Sequence, residues 1–250
     1  MMQTIIDDLS SGPLNWVAER LKPLTPEVEN AWSMQQLTTP EGCARVLQRY
    51  LDVHLGPDAD PVQLRARVSM WSQWYFAMLL PSWVIVSLSH NWQLPIAAER
   101  IFLTLQENGL PEQIYFDGPG EPYLAGLPLA RFDVMIEQHL RAVCQSMAEV
   151  SGLKPGIYWS NAGVRIAWGI EQALLVNADI RDGRALLNAR LLSDGSKNPL
   201  IDPVRAENPS DPNSIRYRRQ CCLRYELADH EICSTCPLEL AKKRRRTTVE

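Results

Sequence analysis

Cys221 and Cys222 are adjacent, ten residues follow, and then come Cys233, two more residues, and Cys236 with Pro237 behind it. Thiolates at this density bind soft metals or do redox chemistry. Structural zinc usually takes two C-x2-4-C knuckles, whose spacing lets both sulfurs converge on one tetrahedral ion. Neighbouring side chains diverge, so placing Cys221 and Cys222 on one zinc needs an unusual backbone. A two-iron cluster with bridging sulfides offers a wider target. The spacing therefore favours a [2Fe–2S] centre. Zinc, a redox dithiol, and inert or disulfide-linked thiols remain the alternatives.

The other titratable residues add little to this site. Cys43 and Cys144 fall on apolar helical faces and read as small buried hydrophobes. His230 lies inside the cysteine loop but is not needed beside four thiols, and His54, His90 and His139 have no second ligand at metal spacing. The chain lacks the glycine-rich dinucleotide fingerprint, the phosphate loop and the nucleophile elbow. Electrons for a redox centre would therefore come from a separate protein.

The elements that must carry these cysteines read as mainly helical. Thr39 as N-cap and Pro40 at the first helical position open a helix with Cys43, Val46, Leu47, Tyr50 and Leu51 on one face. Leu64, Val68, Trp71, Tyr75 and Met78 mark a second helix, which Pro81 is expected to end or kink. Trp71 to Leu88 is a stretch without a charge, but Pro81 and its Ser and Gln residues make it a buried core helix rather than a membrane span. Phe132 to Val150 carries one apolar stripe and stops at Ser151-Gly152. Ser160 or Asn161 is read as the cap of a helix running to Val176, and Arg184 to Leu192 as another. The β-rich runs 100–105 and 113–116 flank Asn108-Gly109 and predict a hairpin. Residues 193–213, with four prolines, predict irregular connection. The expected fold class is α+β, predominantly helical with a small antiparallel β-sheet and a C-terminal cysteine-rich iron–sulfur segment.

The length of 250 residues suits one large domain with an appendage, and 46% hydrophobic content is enough for a core without disulfide staples. From Ser214 onward nine Lys or Arg oppose five acids, +4, so the total of −4 leaves −8 for the rest. An acidic body with a basic end is not a nucleic-acid-binding surface. The N-terminus has no basic, apolar leader pattern, so the expected compartment is the cytoplasm, where clustered cysteines hold metals more often than they form disulfides.

The cysteine pattern close to the C-terminus resembles that of FhuF-type ferric siderophore reductases. Trp71-Ser72-Gln73-Trp74-Tyr75 followed by Pro81, Trp159-Ser160-Asn161 with Gly163 and Trp168, Asn198-Pro199-Leu200, and the arginine-flanked segment from Arg218 to Leu227 are similar to the same family. The resemblance runs in order from about residue 60 to the end. It implies an N-terminal helical segment 1–59, a reductase body 60–210, a cluster-binding segment 214–240 and a basic tail 241–250. It further implies a [2Fe–2S] cluster on Cys221, Cys222, Cys233 and Cys236 that reduces iron(III) in imported hydroxamate siderophores. The electron donor would be a ferredoxin, a flavodoxin or their reductase.

Iron(III) binds anionic oxygen chelators far more tightly than iron(II), so adding one electron is the direct way to release it. A one-electron iron–sulfur carrier matches that step. Within this scheme Arg218, Arg219 and Arg224 offset cluster charge or dock an acidic donor, and Trp74, Tyr75 and Trp159 are candidate siderophore contacts. The tail from Lys242 to Arg246 is a solubilising end or a peripheral contact with acidic lipid or an acidic donor.

Overall fold

Asp60 and Pro61 open the element around which everything else is arranged. In the computed structural model, which describes residues 1–56, 60–124, 126–211 and 214–241, helix α4 runs Pro61–His90 with the Asp60 side chain capping the Val62 amide. From Ala66 to Leu88 nearly every residue of α4 is buried, on all sides of the helix. A helix apolar all round belongs at the centre of a fold rather than on its surface. Among the described residues no helix is long and apolar enough to cross a membrane.

Pro81 lies inside α4, which continues through it, so of the two expected outcomes, an end or a kink, the helix does not end there. Proline has no amide hydrogen, so the carbonyl of Ala77, four residues back, loses its helical donor. Arg20 Nη1 replaces that donor at 2.9 Å from the Ala77 carbonyl. On the opposite wall, a Cβ at Gly169 would stand 2.9 Å from Pro81 Cα, so the missing side chain lets helix α7 (Gly156–Ala173) lie directly against the proline.

The remaining helices enclose this pair. They are α1 (Met2–Ser10), α2 (Asn15–Arg20), α3 (Pro40–His54), the short α5 (Asp133–Met135), α6 (Arg141–Ser151) and α8 (Arg181–Asn188). Thr39 caps α3 as its sequence predicts, accepting from the Gly42 amide at 3.2 Å. The apolar stripe from Phe132 forms α5 and α6 joined by a π-helical stretch Ile136–Leu140, and Gly152, at φ 69°, ends it. The helix α7 begins four residues before Ser160, so neither Ser160 nor Asn161 is its cap. The helix α8 starts and ends earlier than 184–192. One hydrophobic core runs from Met2 through Leu200.

Strands β4 (Ile101–Leu105) and β5 (Pro111–Phe116) form the hairpin expected around Asn108-Gly109. Gly109 has φ 78°, and a Cβ there would meet the Tyr50 backbone at 2.3 Å, so both the turn and the approach of α3 require glycine. The strands β1 (Lys22–Pro23) and β2 (Trp32–Ser33) complete a sheet in the order β1-β5-β4-β2. The β1–β5 pair is parallel, so the sheet is mixed rather than purely antiparallel. A second pair, β3 (Trp92–Gln93) with β6 (Glu121–Pro122), lies beside the end of α4. The proline-rich connection is not wholly irregular, because its β7 (Val204–Ala206) pairs antiparallel with β8 (Arg216–Arg218). That hairpin delivers the chain to the cysteines.

Candidate metal centre

The segment after β8 is tied to the body at each step. The Arg218 amide donates to the Thr235 carbonyl at 2.9 Å, fastening β8 to the turn between Cys233 and Cys236. Ser69 Oγ, on α4, donates to the Cys222 carbonyl at 2.9 Å. Leu227 packs into a small cluster with Ala66 and Met70 of α4. Arg67 Nη2 and Asp229 Oδ1 pair at 2.9 Å. Together these contacts bring both cysteine pairs to one place at the N-terminal half of α4.

Within that place the thiols take distinct positions. Cys222 and Cys236 are buried, whereas Cys221 and Cys233 are half-buried. The adjacent thiols do not diverge, since Cys221 hydrogen-bonds to Cys222, and Leu223, in the left-handed region at φ 63°, turns the chain so that its amide donates to Cys221 Sγ at 3.4 Å. The Cys222 and Cys233 sulfurs lie 4.0 Å apart, and the Cys236 amide donates to the Cys233 carbonyl at 3.0 Å, closing the C-x2-C turn. Among the described residues no group of three or more His, Cys, Asp or Glu side chains converges around a single ion.

The electrostatics favour negative charge on Cys222. Hydrogen bonds from Cys221 and then from Cys233 hold the Cys222 thiol far below its ordinary range, helped by the charge of Arg218. Donating to Cys222 pushes Cys221 and Cys233 up. The protein groups thus favour the thiolate at Cys222, beside the Arg218 cation. The clustered thiols and that buried cation fit a net-negative, cysteine-held iron–sulfur cluster.

The Arg218 side chain is only 4% exposed. Its Nη1 donates to Gln73 Oε1 at 2.8 Å and its Nη2 to Asn161 Oδ1, while its Nε has no protein partner. Among the described residues no carboxylate meets it. Asn161 is itself fixed by donating to Ser72 Oγ at 2.8 Å and to the Ser69 carbonyl at 3.2 Å. Arg219 is exposed and lies 3.6 Å from Asp202, and Arg224 is half-buried with its Nε unpartnered. Only Arg218 of the three is sealed beside the sulfurs.

Sequence reasoning passed over Arg165, one turn beyond Asn161. Burial, then the charges of Arg218 and Arg20, lower its pKa, and Cys222 opposes them. It also missed Ser69 as a second-row contact. The readable signal was the run of polar residues Ser69, Ser72 and Gln73 inside an apolar helix, since buried polar groups demand partners.

The aromatic candidates separate. Trp74 is 46% exposed, and Trp159 is 7% exposed at a cleft floor. Tyr75 has no exposed surface. Its hydroxyl lies 2.6 Å from His139 Nε2 in the core, which corrects its assignment as a siderophore contact. Cys43 and Cys144 are fully buried, and burial pushes the Cys43 thiol up to about 12. The basic tail from Lys242 lies outside the described residues.

Residues 69–214 match the family model described as "Ferric iron reductase FhuF-like transporter", and residues 218–238 match "FhuF 2Fe-2S C-terminal domain". A protein of Escherichia coli (strain K12), described as "Ferric siderophore reductase", is 27% identical over 221 residues, covering 86% of this chain and 82% of that relative.

Proposed function

Because the chain belongs to the FhuF-like ferric iron reductase family and carries its 2Fe-2S domain, we propose that it reduces the iron(III) of imported siderophores one electron at a time. Cys221, Cys222, Cys233 and Cys236 hold the cluster. When bound, that cluster supplies single electrons from a low-potential, all-cysteine environment. The observation that carries this assignment is Arg218, a buried guanidinium with no carboxylate, set against the Cys222 and Cys233 sulfurs. A buried cation without a counter-ion is costly, and four cysteine thiolates are the negative charge that satisfies it.

The chain's own groups divide the work. Gln73 and Asn161 aim Arg218, and Ser69 and Leu227 seal the sulfurs against α4. Cys221 and Cys233 remain at the edge, where a chelate can come near. Reduction weakens the hold of hard oxygen donors on iron, so release follows without cleaving a substrate bond. We assign the electrons to a ferredoxin- or flavodoxin-type donor, the chelate to the hydroxamate class, and the site of release to the cytoplasm. A thiolate-held cluster suits a reducing compartment.

The test is anaerobic. Reduced protein is mixed with a ferric trihydroxamate and a ferrous trap, and one trapped iron(II) is expected for each cluster reoxidised. A colourless protein holding zinc and no iron, or a reduced cluster that the chelate leaves reduced, overturns the proposal.

A further inference from the structure

A cleft of about 530 Å³ opens where the start of α7, the loop from Asn198 to Pro203 and the Arg219-Gln220 peptide meet. Small-molecule sites typically span roughly 300–1,000 Å³. Its last wall residue, Gln220, is bonded to Cys221, the half-buried member of the adjacent pair. The helix turns by about 100° between Ser160 and Asn161. Asn161 therefore faces Arg218 while Ser160 lines the cleft. Ser160 Oγ is buried without a protein partner. Gly156 leaves room for the Gln220 amide, whose Oε1 would lie 3.4 Å from a Cβ there. Gly163, at 2.9 Å from Pro203 by the same measure, brings the loop close enough to form the opposite wall.

We infer that this cleft, with Ser160 and Gln220 as its hydrogen-bonding groups and Trp159 as its floor, seats the ferric chelate and that Cys221 is the ligand facing it. The inference rests on the reductase reading above, with its hydroxamate chelate, and adds the place of binding. Arg219 is the single ionisable side chain in the lining, and Asp202 already lies 3.6 Å from it. A wall of neutral donors and acceptors with no surplus cation suits a chelate of little net charge, whose shell presents amide and hydroxamate oxygens. It does not suit a trianionic tris-catecholate. A larger cleft, of about 600 Å³, opens beside Thr235. None of its lining side chains carries a buried polar atom without a partner.

The experiment uses the intact holoprotein and redox-inert gallium(III) complexes, so binding is read without electron transfer. Calorimetry is expected to show the gallium trihydroxamate binding and the gallium tris-catecholate binding at least about tenfold more weakly. Ser160→Leu, which fills the cleft, and, separately, Gln220→Ala, which removes a hydrogen-bonding group from its wall, should each weaken trihydroxamate binding by about tenfold. Both should leave the cluster's visible spectrum and its reduction of ferricyanide unchanged. Wild-type affinity in both variants with a native spectrum, or equal affinity for the two gallium complexes, overturns the inference. A protein that lacks the cluster fails the reductase reading instead, and its spectrum shows which has failed.

Discussion

The Arg218 guanidinium donates to the side-chain oxygen of Asn161, 57 residues away, and so lies buried beside the cysteines without meeting a carboxylate. Oxidised and reduced clusters differ by one negative charge, so a fixed cation favours the reduced form. A unit charge several ångströms away at an effective dielectric near 20 is worth tens of millivolts to about 100 mV. Arg218→Met should therefore lower the midpoint potential by that amount, and Arg218→Lys should retain most of it. A redox titration followed by electron paramagnetic resonance measures both, and an unchanged potential in the methionine variant removes the electrostatic role.

Serine at Cys221, Cys222, Cys233 or Cys236 should abolish the native cluster, because a hydroxyl is a poor soft-metal ligand. Cys43→Ala and Cys144→Ala provide the contrast. Both thiols are buried away from the site, so iron and sulfide content should stay at the wild-type level while stability falls modestly. Full iron occupancy in any of the four serine variants contradicts the ligand assignment.

Arg20 and Pro81 should be energetically coupled. Arg20→Met leaves the Ala77 carbonyl without a donor and should cost about 1–3 kcal/mol. In a Pro81→Ala background the helix regains its own amide, so the same substitution should cost clearly less. A double-mutant cycle on denaturant midpoints measures the difference. Equal costs in the two backgrounds would show that Arg20 does not stand in for the missing amide.

His139 should make stability depend on pH. Burial holds its pKa down to about 4, and its imidazole, accepting from Tyr75 and donating to the Ile96 carbonyl at 2.8 Å, is neutral in the fold. In the unfolded chain it takes a proton near its ordinary 6.5. Between those values the unfolded state binds more protons, so this contribution is complete above about pH 6.5 and is lost as pH falls toward 4. The loss amounts to about 3 kcal/mol. His139→Gln should flatten this part of the stability curve. A variant as pH-sensitive as the wild type over that interval would place the titration elsewhere.

Local chemistry announced part of this molecule. The Thr39-Pro40 helix start and the Asn108-Gly109 turn each rest on residues a few positions apart, and each is where the sequence puts it. What the sequence hid depends on distant partners. Pro81 reads as an end or a kink because Arg20, which makes it tolerable, lies far off in the chain. Asn161 reads as a helix cap because nothing local reveals Arg218. Three-residue strands such as β7 are too short for any alternation to register. Of Trp74 and Tyr75, neighbours on α4, the first is exposed and the second lies in the core, since successive helical positions differ by about 100°.

Helix α4 forms one wall around the sulfurs, through Ser69, Arg67 and the Ala66–Met70 pocket that receives Leu227. The iron–sulfur segment is therefore not a portable module. Grafted onto another scaffold or expressed as a peptide, it would bring its ligands but leave behind half of their enclosure. Any lineage that shuffled this segment would have had to carry the long helix with it.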